Sequence, residues 1–226
     1  ITFIRVAIKL ALRVLPARKG MRFLLLLDNM LYSRENAQAV KYGNGVHPKH
    51  RHLRYHDFFI SNITPNDRVL DIGSHEGELA AAIASKAKPA KILGLEMEAV
   101  RVEAAKQRFS LENLDFRQGV APQDLPEGDF NTVTLSNVLE HIPERVALLQ
   151  DLKARYPLQK LLIRVPAYDR DWRVPLKEEL DVDYFLDATH YIEYTQEAFK
   201  QEVSKAGLRI ASLTSIWGEL WAVVTP

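Results

Sequence analysis

The chain has no cysteine, which excludes a disulfide framework, a thiolate metal site and a cysteine nucleophile. It also lacks an excess of one charge: 30 Lys and Arg stand against 29 Asp and Glu, a net charge of +1. Without a global basic field there is little to drive non-specific nucleic-acid binding, so the expected partners include no nucleic acid. Long apolar runs are missing too. The run Phe23 to Leu27 stops at Asp28 and Asn29, and no other approaches the roughly 20 residues that span a bilayer. Charges interrupt the apolar pattern of residues 1–15, unlike the core of a secretory signal. The expectation is a cytoplasmic chain in a reducing compartment.

What is present is ordinary for a folded protein: 226 residues, 47% hydrophobic and 26% charged, enough for one α/β domain with an N-terminal extension. The expected division is a helical extension or lid over 1–63 and a main domain over 64–226. In the extension, Ile4, Ile8, Ala11 and Leu15 recur at helical spacing, Pro16 and Gly20 break the pattern, and a second helix runs from Met21 to about Ser33. A loop over 42–48 follows, and then a helix whose face is Leu53, His56, Ile60 and Ile63.

From Arg68 onward strand-like and helix-like runs alternate, which calls for a parallel sheet. The strands expected are 68–72, 91–96, 114–120, 130–137 and 160–165, with helices to about 88, over 99–109 and over 143–156. A long connection, 167–194, rich in charge and aromatics, is the expected substrate-facing wall, since structureless loops of that length are uncommon unless functional. A helix over 195–206 and two closing strands, 208–216 and 220–224, complete the pattern, the short connection suiting an antiparallel hairpin.

The segment Val69-Leu70-Asp71-Ile72-Gly73-Ser74-His75-Glu76-Gly77 delivers an apolar strand into a glycine-containing turn and a helix. In an open α/β sheet that is where a nucleotide-like ligand binds. Ile92-Leu93-Gly94-Leu95-Glu96 ends in a carboxylate about 20 residues further on, the spacing of a ribose-binding acid; a helix-capping role for Glu96 is the alternative.

With these residues the chain resembles the class I S-adenosylmethionine-dependent methyltransferases, from about Asn66 to the C-terminus. The resemblance implies a Rossmann-like, seven-stranded, mostly parallel sheet with a reversed C-terminal strand, and S-adenosyl-L-methionine as cofactor. It assigns Asp71, Gly73, Ser74, His75 and Gly77 to the donor loop, Glu96 and Met97 to the ribose, Val120 and Ala121 to the adenine edge, and Asn137 to the methionine end. Two positions depart from the family pattern: His75 stands where a third glycine is usual, and Val120 where an acid often is. A binding or scaffold protein that kept the fold and lost turnover is therefore a second reading. An NAD-dependent oxidoreductase is a third, against which the reversed strand pair argues.

Methyl transfer to a hydroxyl needs an in-line approach and a base working near neutral pH. His190 and His141 are the candidate bases, with Asp169 or Asp171 acting or orienting them. The acceptor is expected to be a small molecule or a glycan, and the reaction O-methylation. The run Tyr168-Asp169-Arg170-Asp171-Trp172-Arg173 pairs an aromatic face with planar hydrogen-bonding groups. It and the stretch Lys49 to Asp57 resemble methyltransferases of bacterial surface-glycan biosynthesis.

Among His47, His50, His52 and His56, only the last two have the i, i+4 spacing of paired ligands on a helix, and no matching acid set accompanies them. No metal is expected, and activity is expected to survive chelation. Residues 1–22 carry Arg5, Lys9, Arg13, Arg18, Lys19 and Arg22 and no acid. That is the pattern of a basic amphipathic helix on a membrane surface, here the inner membrane, or of one docked on its own domain or a partner.

Overall fold

A computed structural model of the chain describes residues 2–226, and these divide into two compact units. The first begins with three helices, α1 (Thr2–Val14), α2 (Ala17–Tyr42) and α3 (Lys49–Leu53). Pro16 sits at the N-cap of α2 with extended backbone, where its fixed φ and missing N–H are harmless. Gly20 does not interrupt the helix as its composition suggests. It is buried inside α2, where a Cβ would come within 3.2 Å of Leu12 Cδ2, so its service is close approach. The helix runs on to Tyr42, well past the expected end near Ser33. No residue of α1 is buried; its apolar Phe3, Ile4 and Leu10 are all exposed.

The second unit starts at Arg54, whose φ of +52° breaks the expected single helix and opens α4 (Tyr55–Ser61). The buried positions there are Tyr55, Phe59 and Ile63, an i, i+4, i+8 row one residue away from the expected face at His56 and Ile60. Then come β1 (Arg68–Ile72), α5 (Glu78–Lys86), β2 (Lys91–Glu96), α6 (Ala99–Arg108), β3 (Leu114–Gln118), β4 (Thr132–Ser136), α7 (Arg145–Arg155) and β5 (Lys160–Pro166). The third and fourth strands are each shorter than their sequence spans, 114–120 and 130–137, because the chain turns away at both.

The 167–194 connection is not structureless. It forms a 3-10 turn, Tyr168–Arg170, and α8 (Arg173–Glu179), and its middle, Asp171–Phe185, belongs to the first unit. Leu180 and Val182 bury against Leu25, and Asp28 accepts from Arg173 Nη1 at 2.7 Å and from Lys177 Nζ at 2.8 Å. The division thus differs from the expected 1–63 and 64–226. Tyr55, Phe59 and Ile63 bury in the second unit, while 171–185 folds with the N-terminal helices.

The chain ends with α9 (Gln196–Lys205), capped by the Thr195 side chain, and the hairpin β6 (Arg209–Ile216) and β7 (Glu219–Thr225). Trp217 and Gly218 connect them, both with positive φ, as a two-residue type I′ turn requires. The sheet order is β3-β2-β1-β4-β5-β7-β6. The first five strands are parallel, and β7 lies antiparallel to both β5 and β6. Strands β1, β4 and β5 are almost continuously buried, as two covered faces demand. The sheet is the seven-stranded Rossmann-like arrangement that the resemblance implies. A charged pair lies within the apolar interior. Arg164 meets Glu219 through two parallel bonds of 2.6 and 2.5 Å and lies 4.0 Å over the Tyr55 ring. The bidentate geometry offsets the burial of both charges. Among the described residues no helix is long and apolar enough to cross a membrane.

Candidate active site

Strand order reverses between β1 and β4, so the crevice at their C-terminal ends is where an open α/β sheet takes its ligand. The turn after β1 is drawn over that edge: Gly73 N and Ser74 N both donate to Leu95 O, at 2.8 and 3.1 Å, and Gly77 N donates to Ser74 O at 2.9 Å. Gly73, His75 and Gly77 all have left-handed backbone, with φ of +71°, +51° and +85°. Gly77 is obligatory on two counts, since a Cβ there would meet Phe116 Cζ at 2.5 Å and the conformation itself disfavours a side chain. His75 adopts the third-glycine position at the strain usual for a non-glycine residue.

The backbone N–H of His75 explains how that position is held. It donates to Glu96 Oε2 at 3.0 Å, while Glu98 N donates to Glu96 Oε1 at 3.0 Å. The Glu96 carboxylate is buried and fixed by two backbone donors, yet each oxygen keeps a lone pair for a diol. Glu98 is the N-cap of α6, so anchoring the start of that helix and facing the ligand edge are compatible roles for one side chain. Met97, next along, is exposed.

Asp71 is buried at the end of β1 and accepts from Thr134 Oγ1 at 2.5 Å. Burial, reinforced by the nearby Glu96 charge, raises its pKa to about 7 despite the Thr134 bond. Its Oδ2, the hydroxyl of Ser74 and Oδ1 of Asn137 are buried without a hydrogen-bond partner. Buried polar atoms are ordinarily paired, and these three sit on β1, the turn that follows it and the residue after β4. They fit a polar ligand along this edge. Asn137 has φ of +55° and donates its backbone N–H to Arg164 O at 2.8 Å.

In the turn after β3, Val120 N donates to Asp124 Oδ2 at 2.9 Å and Asp124 N to Val120 O at 2.7 Å. An acid therefore does stand at this turn, four residues after the position where the family pattern has one, and sequence reading missed it because the turn that returns it is not a spacing signal. Ala121 packs on the core.

On the β4 and β5 side, Tyr191 N donates to Glu140 O at 2.7 Å, and Tyr168 N to Tyr194 O at 2.8 Å. These bonds bring His190 against His141, rings perpendicular with centroids 4.5 Å apart. Thr189 Oγ1 donates to Asp187 Oδ1 at 2.7 Å and so accepts from His141 Nδ1 at 2.8 Å. His190 Nδ1 lies 2.9 Å from Glu193 Oε1, a carboxylate that also takes Leu186 N at 2.8 Å and Arg170 Nη1 at 2.9 Å. Both rings thus have Nδ1 engaged by an oxygen, of Thr189 and of Glu193 respectively. Burial and then the neighbouring His190 hold the His141 pKa below its usual value.

Glu140, between the two, is fully buried with neither carboxylate oxygen hydrogen-bonded, and burial pushes its pKa up to about 8. The sequence pointed to neither Glu140 nor Glu193 as a site residue; the ring contact closes over 48 residues of intervening chain. The two aspartates fare otherwise. Asp171 is bonded to Arg173 by backbone and guanidinium, which holds its carboxyl at about 2 and makes it a poor proton acceptor. Asp169 is exposed on the 3-10 turn. His47 is bonded to Asn36 and to Lys49 N.

The family model described as Methyltransferase domain matches residues 26–213. A search of the curated proteins finds no match. Among solved structures, the methyltransferase of a Haloferax volcanii complex with a methyltransferase activator is similar with a TM-score of 0.63 and 15% identity, covering 79% of this chain and 91% of that one. Magnesium protoporphyrin IX methyltransferase of Synechocystis PCC 6803, with bound S-adenosylhomocysteine, gives 0.60 and 18%, covering 77% and 83%. An S-adenosylmethionine-dependent methyltransferase of Mesorhizobium loti gives 0.60 and 10%, covering 75% and 95%. At these identities the likeness is one of fold, and it joins the donor-loop geometry and the family match over most of the chain in one conclusion: the chain belongs to the methyltransferase domain family and is an S-adenosylmethionine-dependent methyltransferase.

Proposed function

We propose that the chain transfers a methyl group from S-adenosylmethionine to a hydroxyl of a small-molecule or glycan acceptor. Asp71, Gly73, Ser74, His75 and Gly77 shape the donor loop, Glu96 takes the ribose hydroxyls with Met97 beside it, Val120 and Ala121 border the adenine, and Asn137 faces the methionine end. The donor supplies an electrophilic methyl on a sulfonium. These residues bind and align it, and the acceptor side must present an oxygen and remove its proton.

The observation that carries the reading is the pairing of His190 with buried Glu193, which fixes Nδ1 as the proton-bearing nitrogen and leaves Nε2 as a base. A domain that binds the donor without turnover, or an NAD enzyme, is separated from this reading by titration calorimetry with S-adenosylmethionine, S-adenosylhomocysteine and NAD.

His190→Gln tests the base. With a verified hydroxyl acceptor its turnover is expected to fall about 10² to 10⁴ fold at nearly unchanged donor affinity. A folded variant that binds donor and methylates a hydroxyl at the wild-type rate overturns the assignment.

A further inference from the structure

We propose that Glu140, His141 and His190 bind one divalent first-row transition cation, through a carboxylate oxygen and the two Nε2 atoms. One ligand atom from each of the three lies within 4.8 Å of the others. Ligands about 2.1 Å from a shared cation stand about 3 to 4 Å apart, so small side-chain rotations close the set.

A second observation points to the same occupant. Glu140 is fully buried and both its oxygens lack a hydrogen-bond partner, which is costly for a carboxylate unless a charge compensates it. Arg164, a cation whose charge reaches Glu140, is committed to Glu219 by two bonds. The rings are also oriented as metal-ligating imidazoles are, each with its other nitrogen hydrogen-bonded. His190 is held by Glu193, itself fixed by Leu186 N and Arg170; His141 is held by Thr189, itself fixed by Asp187.

Two imidazoles and one carboxylate favour zinc, manganese, iron, cobalt or nickel over calcium or magnesium, and three protein ligands leave coordination positions open. An acceptor hydroxyl on such a position would lose its proton to solvent more readily, its oxygen held by the cation. The cation would then take the lone pair that His190 otherwise offers as a base. The inference rests on side-chain geometry, and it deepens the proposed O-methylation only by naming what activates the hydroxyl. It also reverses the expectation that activity survives chelation.

The test uses the full chain, stripped with a chelator and titrated with Co²⁺ by calorimetry and visible absorption, then with Zn²⁺ in competition. One equivalent of Co²⁺ with an absorption band typical of nitrogen and oxygen ligands is expected. Glu140→Gln and His190→Ala should each weaken binding at least about tenfold, and Glu193→Gln about 10- to 100-fold as an orienting residue. A His50→Ala, His52→Ala double variant should bind as wild type does. If Glu193→Gln misfolds, Thr189→Val probes the His141 side in its place. No saturable binding by folded wild-type protein, or equal affinity in folded Glu140→Gln and His190→Ala, overturns the cation and leaves His190 as a metal-free base. Cation binding with no methylation of any hydroxyl acceptor would keep the site and sink the O-methylation reading instead.

Discussion

The two halves of the ligand edge are built by different means. At the ends of β1 and β2, backbone from two adjoining turns supplies nearly everything: N–H groups of His75 and Glu98 hold Glu96, and left-handed residues hold the first turn. At the ends of β4 and β5, side chains from two distant segments meet, and each is held by another side chain, Thr189 on His141 and Glu193 on His190. A backbone scaffold tolerates changes of side chain and punishes changes of conformation. A side-chain relay does the opposite, and it can leave the carboxylate of one member, Glu140, without a hydrogen-bond partner.

The largest expected effect breaks the backbone scaffold. Gly77→Ala would push a Cβ to 2.5 Å from Phe116 Cζ and 3.1 Å from Ala105 Cβ, on a backbone of φ +85°. Overpacking and a strained left-handed alanine together should lower stability by about 3 kcal/mol or more, read in urea unfolding. A loss below about 1 kcal/mol would mean the loop can shift, and the contrast with the relay would weaken.

Next is Glu96→Ala, which removes a charged acceptor and leaves the His75 and Glu98 N–H groups unpaired. S-adenosylhomocysteine affinity should fall by about 1.5 to 3 kcal/mol, roughly 10- to 150-fold. Unchanged affinity would confine Glu96 to anchoring α6.

A pH experiment sharpens the comparison at Asp71. Its folded pKa, raised to about 7 by burial, exceeds the ordinary carboxylate value, so the folded chain holds a proton that the unfolded chain has released. The stability this contributes is full below about pH 4 and is lost as pH rises through about 7. Asp71→Asn cannot titrate and should flatten the decline in thermal midpoint between those limits. An equally steep decline in the variant would assign the pH dependence to another group.

This contrast also sets what could be read from the sequence. The donor loop and Glu96 are legible because strand, turn and acid lie in short apolar runs whose alternation fixes a parallel sheet; five strands and the hairpin follow. The histidine relay is legible only in part. His141 and His190 stand out as candidate bases, but Glu140 and Glu193 are ordinary charges until β5 and the Tyr191–Glu140 bond bring two segments together. The same limit explains the N-terminal unit, where α2 passes Gly20 because Leu12 needs the space, and where Leu25 finds Leu180 across 155 residues of chain. Local pattern specifies the elements, and distant packing decides which of them belong together.

The smallest effect isolates one link of the relay. Thr189 receives the His141 Nδ1 proton and passes its own hydroxyl proton toward Asp187; valine keeps the shape and removes both bonds. A neutral hydrogen bond contributes about 0.5 to 1.5 kcal/mol, and Thr189 lies at the partly exposed end of the cluster, so Thr189→Val should fold with a nearly unchanged thermal midpoint. What should change is the His141 ring, which loses the partner that selects its tautomer. Turnover on a hydroxyl acceptor is then expected to fall by about two- to tenfold, the rate equivalent of one such bond, with S-adenosylhomocysteine affinity unmoved, since the bonds removed run to His141 and Asp187. Nitrogen chemical shifts of the His141 ring give the readout that a merely structural role would not move: a mixture of tautomers in the variant against one in the wild type. If both spectra show the same single tautomer, Thr189 does not orient His141, and the relay shortens to Glu193 and His190 alone.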